Sequence, residues 1–115
     1  MKKKILIFGG TGAIGFSVAK NLKDDDFIES FKINTLGAIN AVKTNLPSLI
    51  NNNGSVLLFS TIAVQQGFTN HSIDSSSKGT IEGLSVSLAA KFAPKIRVNC
   101  IAPSLTNSKM SQKIV

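Results

Sequence analysis

Three short apolar runs punctuate the chain: residues 4–8 (Lys-Ile-Leu-Ile-Phe), 55–60 (Ser-Val-Leu-Leu-Phe-Ser) and 96–102 (Ile-Arg-Val-Asn-Cys-Ile-Ala). Their length and apolar character predict strands buried in a parallel sheet. Longer stretches of helical period lie between them. Over 13–23, Ile14, Val18 and Leu22 fall on one face, with Lys20 and Lys23 in the last turns, where the helix dipole favours cations. Over 27–46, Phe31, Ala38, Val42 and Leu46 repeat at helical spacing, and Pro47 is expected to end or kink the helix. A third helix is predicted from Ser75 to Phe92, with Ile81, Leu84, Leu88, Ala89 and Phe92 on one stripe and Pro94 closing it. Asn51–Gly54 reads as a turn, 61–73 as a polar loop and 104–115 as a polar tail. Strand, helix, helix, strand, helix, strand is the order of an α/β fold around a parallel sheet of about three strands.

The length of 115 residues limits the chain to a single domain, and 43% hydrophobic residues fit a globular one. Cys100 is the lone cysteine and His71 the lone histidine, which excludes an intrachain disulfide and a Cys/His zinc site. The net charge of +7 raises the question of nucleic acid. Beyond Lys2–Lys4 the basic residues are scattered singly, Arg97 is the one arginine, and no aromatic residues interleave with them. That pattern is a solvated surface and predicts no nucleic-acid partner. Glycines interrupt the apolar run after Phe8 too early for a signal peptide, and nothing is long enough to span a membrane. The expectation is a cytoplasmic protein with no membrane partner.

The first strand runs into Gly9-Gly10-Thr11-Gly12-Ala13-Ile14-Gly15. Glycine permits positive φ in a strand-to-helix turn and lets the backbone approach a pyrophosphate. The following helix start offers free N–H groups to its charge. In this context Gly9, Thr11, Gly12, Ile14 and Gly15 are candidate dinucleotide-binding positions.

That loop, Asn34 in Lys-Ile-Asn-Thr-Leu-Gly, the strand into Ser60-Thr61, Ser77-Lys78-Gly79 and the stretch from Ile96 to Pro103 occur in the order seen in short-chain dehydrogenases/reductases. The chain resembles that family over residues 1–23 and about 27–110, and is nearest in look to 3-oxoacyl-carrier-protein reductases. The resemblance implies an incomplete Rossmann-like, partial dinucleotide-binding domain over 1–115. It also implies NAD or NADP as cofactor and a small-molecule carbonyl or alcohol as substrate. Lys78 matches the family lysine that holds the nicotinamide ribose, Thr61 (with Ser60 beside it) the serine that holds the substrate oxygen, and Asn34 the helix asparagine of the proton relay. Pro103 falls on the cofactor side.

The sequence also departs from the family. The proton-donating tyrosine would stand four residues before Lys78, where this chain has Asp74. An aspartate is ionised at neutral pH and has no proton to give. Asp74 reads either as a substitute general base or, before Ser75-Ser76-Ser77, as a helix N-cap, and the cap is the expectation. Cys100 is expected to pack within its strand and His71 to be solvated. Between Lys23 and Phe27, where the family has three further strands and two helices, stands only Asp24-Asp25-Asp26. Three residues span at most about 11 Å, whereas a five-residue strand is about 17 Å tall. The flanking helices must therefore be rearranged, merged or exchanged between chains. One missing strand lies between the first two strands of this chain in the family sheet. These two either become neighbours or leave unpaired backbone groups. Exposed strand edges open the way to self-association, and the altered site to a second reading, a catalytically inactive deletion product.

Overall fold

The computed structural model describes residues 4–8 and 22–104. In chain order the elements are β1 (Ile5–Phe8), α1 (Asp24–Phe31), a π-helical turn (Lys32–Leu36), α2 (Gly37–Asn51), β2 (Ser55–Phe59), α3 (Ala63–Gln66), α4 (Ser72–Phe92) and β3 (Arg97–Ile101). The three apolar runs form one parallel sheet in the order β1-β2-β3. Ile5 pairs with Ser55 and Phe8 with Leu58, while Ser55 pairs with Arg97 and Phe59 with Ile101. The predicted partial Rossmann-like α/β architecture is therefore present. β1 and β2 are direct neighbours, the first of the two expected alternatives, and their facing backbone groups are paired.

Alternation along the strands sends Val56, Leu58 and Val98 to one face. There they pack with Ala38, Val42 and Leu49 of α2, with Ile81 of α4 and with Ile96. Ala38 and Leu58 have no exposed surface. Ile5, Arg97 and Ile101, a residue out of phase, are exposed.

The helices depart from the sequence expectations at several points. The second helical run starts at Asp24, not Phe27, because Asp24, Asp25 and Asp26 fill its first turn. Carboxylates are favoured there by the partial positive charge of the helix start. Leu22 and Lys23 lie outside any helix, and Leu22 is 70% exposed. Lys23 is extended and serves as the N-cap of α1, so the first predicted helix does not reach them. The rest of that helix lies outside the described residues.

Pro47 does not end α2, which continues to Asn51. Its missing N–H costs one intrahelical bond, to the carbonyl four residues back. That carbonyl belongs to Lys43, an exposed residue whose backbone water can reach. The helix then closes properly. Asn53 adopts φ 46°, its N–H donates to the Ile50 carbonyl at 3.3 Å, and the Gly54 N–H donates to the Leu49 carbonyl at 2.8 Å. This paired closure is the Schellman arrangement, with asparagine at the left-handed position. Phe31, assigned to the buried face, is 39% exposed, while Ser30 is 4% exposed. The five-residue hydrogen-bond repeat of the π turn rotates the upstream face relative to α2 and turns Ser30 inward.

Candidate functional site

The family-matched side chains gather where β2 ends. In an open α/β sheet this carboxyl end is where ligands bind. The Ser60 N–H donates to the Ile101 carbonyl at 2.8 Å, and the Ile62 N–H to the Pro103 carbonyl at 3.3 Å. These bonds hold the exits of β2 and β3 side by side, with Pro103 next to the Thr61 segment.

Asn34 sits in the π turn and is buried. There the Gly37 N–H donates to the Lys32 carbonyl, five residues back. The Asn34 side-chain nitrogen donates to the Ser30 carbonyl at 3.0 Å and lies 3.3 Å from both the Ser30 and the Ser77 hydroxyl oxygens. Those two hydroxyls are 2.9 Å apart, and Ser77 Oγ donates to the Asp74 carbonyl at 3.1 Å. One residue on, the hydroxyls of Thr35 and Thr80 are hydrogen-bonded. The π turn is thus fastened to the first turns of α4 by polar contacts, and no buried side-chain polar atom among the described residues lacks a partner.

Lys78 follows Ser77 directly and is 6% exposed. Its ammonium donates to the Phe59 carbonyl, the last of β2, at 3.2 Å. Burial pulls its pKa below the usual lysine value, and the proximity of Asp74 first and Cys100 second partly opposes that. An ammonium has three N–H donors, so one bond to Phe59 leaves donors for a ligand.

Ser60 and Thr61 have separate tasks. Ser60 Oγ donates to the Glu82 carboxylate at 2.6 Å and lies 3.4 Å from the Lys78 carbonyl, so its single proton is committed inside the fold. Thr61 Oγ1 accepts the Ala63 N–H at 3.3 Å, at the start of α3, and so keeps its own O–H for donation. Cys100 is half-buried in β3. Burial first and the Glu82 carboxylate second push its thiol pKa up, against hydrogen bonding from Ser60 and Ser85. That environment suits a packed thiol better than a nucleophile.

The predicted N-cap role of Asp74 is not met. α4 begins at Ser72 with His71 as its N-cap, and Asp74 lies inside the first turn. The Ser75 N–H closes that turn onto the His71 carbonyl at 2.7 Å, which carries the helix back beyond Asp74. His71 is half-buried rather than fully solvated, with its ring centroid 5.8 Å from that of Phe68 and Nδ1 2.8 Å from the Thr69 carbonyl. The predicted loop 61–73 also contains α3.

The structure therefore brings Asn34, Ser60, Thr61, Asp74 and Lys78 to one end of the sheet, on the strand exits and the facing helix turns. Gly9, Thr11, Gly12, Ile14 and Gly15 lie outside the described residues. Ser30, Thr80 and Glu82 hold the site in place, yet no motif or spacing marks them. Only Ser77, beside Lys78, carried a signal.

Known proteins share this fold. The family model for short chain dehydrogenase matches residues 4–115. The 3-oxoacyl-[acyl-carrier-protein] reductase of Mus musculus is 31% identical over 99 residues, which cover 85% of this chain and 42% of that protein. The solved structure described as ElxO with NADP bound is 28% identical, with a TM-score of 0.74, over 84% of this chain and 40% of that one. Acetoin dehydrogenase from Enterobacter cloacae, 18% identical, shares the fold with a TM-score of 0.81 over 96% of this chain and 45% of that one. The chain thus spans less than half the length of these relatives. With the sheet order, the ordered motifs and the match over residues 4–115 in agreement, the chain belongs to the short-chain dehydrogenase family.

Proposed function

We propose that residues 1–115 are a partial dinucleotide-binding domain carrying the nicotinamide end of an oxidoreductase site. The cofactor is NAD or NADP, the substrate a small carbonyl or alcohol, and the chain by itself turns over slowly or not at all. The observation that carries this reading is the position of Lys78: buried at the exit of β2, fastened to Phe59, with donors to spare. The NADP-bound relative supports the cofactor class.

When bound, the nicotinamide supplies or accepts the hydride. Lys78 would hold its ribose hydroxyls, and the glycine loop from Gly9 to Gly15 its pyrophosphate. Thr61 would donate its free O–H to the substrate oxygen. Asn34 would act through its backbone and the Ser77 contact to keep the π turn beside α4.

Reduction of a carbonyl requires a hydride at carbon and a proton at oxygen. Asp74, at the position of the family tyrosine, has no phenolic hydroxyl to donate to the substrate oxygen. It is also shorter than tyrosine by a ring. This favours the second reading, a catalytically inactive relative that keeps part of the cofactor grip. The strand edges offer such a chain a route to self-association.

Calorimetric titration of the full chain with NADH and NADPH tests the reading. Saturable binding that weakens in Lys78→Met is the expected result. Absence of binding of either dinucleotide would overturn the cofactor assignment.

A further inference from the structure

We propose that two copies of this chain join through β1, antiparallel, into one continuous six-stranded sheet with a two-fold axis at Leu6. The inference stands on strand geometry and is independent of the oxidoreductase reading. Among the described residues β1 pairs with β2 alone, and no described strand lies on its other side. The Ser55 N–H donates to the Lys4 carbonyl at 2.6 Å, which fixes the phase of the strand. In a β-strand, successive residues turn their N–H and C=O groups to opposite sides. Lys4, Leu6 and Phe8 therefore face β2, and Ile5 and Ile7 carry both backbone groups to that other side.

This pattern is self-complementary. With Leu6 opposite Leu6, Ile5 of one copy faces Ile7 of the other, and the reverse. Both pairs are then of the hydrogen-bonded kind, so every outward N–H and C=O of Ile5 and Ile7 is used. The same register sets Lys4 opposite Phe8, so Lys4 does not stand across from its own copy.

The composition of the edge agrees. Ile5–Phe8 contains no charge, proline or bulge, the usual means by which an edge strand is kept from pairing. Ile5 is 63% exposed. β3, the other edge strand, begins with exposed Arg97 and carries exposed Asn99. A two-fold pairing through β1 is isologous and closes on itself, so assembly stops at the dimer.

Light scattering on the full chain, with two cysteine variants in a Cys100→Ser background, tests the proposal. The expected mass is twice the 12.2 kDa of the chain. Leu6→Cys is expected to form an interchain disulfide on mild oxidation. A non-hydrogen-bonded antiparallel pair places its Cα atoms about 4.5 Å apart, within disulfide reach. Ile5→Cys, offset from its own copy across the axis, is expected to remain reduced. Ile5→Pro removes an edge-facing N–H without touching the ladder to β2, and should give a folded monomer. A monomeric wild type, an open-ended assembly, or cross-linking through Ile5→Cys in preference to Leu6→Cys would each overturn the proposal. So would a dimer unaffected by Ile5→Pro. Should Ile5→Pro fail to fold by circular dichroism, the cysteine pair decides alone.

Discussion

The hydroxyls of Ser30 and Ser77 lie 2.9 Å apart, one at the end of α1 and the other in α4 immediately before Lys78. Both are buried. The contact ties the π turn that holds Asn34 to the helix that holds Lys78. Ser30→Ala and Ser77→Ala are each expected to cost about 1–3 kcal/mol in urea unfolding, since each strips partners from buried polar groups. The double variant should cost less than the sum of the singles, because the second change removes a group the first has already orphaned.

Gly54 joins α2 to β2, and its size matters more than its φ. A Cβ there would lie 2.7 Å from Leu49 Cδ2 and 3.0 Å from the Lys4 carbonyl oxygen. The carbonyl is fixed in the β1–β2 ladder, so Gly54→Ala should destabilise the fold by about 1–3 kcal/mol. Gly83, in α4, has nothing within 4 Å of the corresponding position. Gly83→Ala should stabilise by about 0.5–1 kcal/mol through helix propensity. Thermal unfolding of the two variants side by side checks both signs.

Burial lowers the Lys78 pKa, and the pH dependence of stability follows. Between the folded-state pKa and the unfolded value of 10.5, the unfolded chain binds more protons at this residue than the folded chain. Stability therefore gains from Lys78 as pH rises through that window, and the penalty for burying the charge is fullest below it. The difference in unfolding free energy between wild type and Lys78→Met should move in favour of wild type as pH approaches 10.5. A difference independent of pH would show that the ammonium is hydrated in the folded state.

Cys100 has the opposite character. With its thiol pKa raised above 9.0, it should react with a thiol reagent more slowly at neutral pH than an unstructured cysteine peptide does. Glu82→Gln removes the like charge beside it and should speed that reaction. Urea should abolish the difference between the two proteins.

The sheet was legible from the sequence because β1 and β2 are short apolar runs next to glycine, and β3 carries Val98, Cys100 and Ile101 ahead of Pro103. α4 was legible from the stripe of Ile81, Leu84, Leu88 and Phe92. The π turn was not, since the interval from Phe31 to Ala38 fits two ordinary helical turns. Only the backbone bond from the Gly37 N–H to the Lys32 carbonyl, five residues back, distinguishes a π turn there. The passage of α2 through Pro47 was hidden for a similar reason: the tertiary packing of Leu49 and the closure at Asn53 outweigh one lost hydrogen bond. At the site, Lys78, Thr61 and Asn34 were visible as family-matched positions. Ser60 and Thr61, equivalent by position, were separated only by the Glu82 carboxylate, which takes the Ser60 proton.

On the proposed reading the chain keeps the nicotinamide end of the site, without the tyrosine as proton donor and without the cofactor surface that the family carries where this chain has Asp24–Asp26. The most direct test is steady-state oxidation of NADH and NADPH with a small ketone, for wild type and Asp74→Tyr. Neither protein is expected to turn over measurably. The restored tyrosine would return a proton to the site, but not the cofactor surface needed to bring the hydride within about 3–3.5 Å of the carbonyl carbon. Turnover by wild type on the order of 1–1000 per second would contradict the claim about Asp74. Turnover gained by Asp74→Tyr alone would contradict the claim about the missing segment.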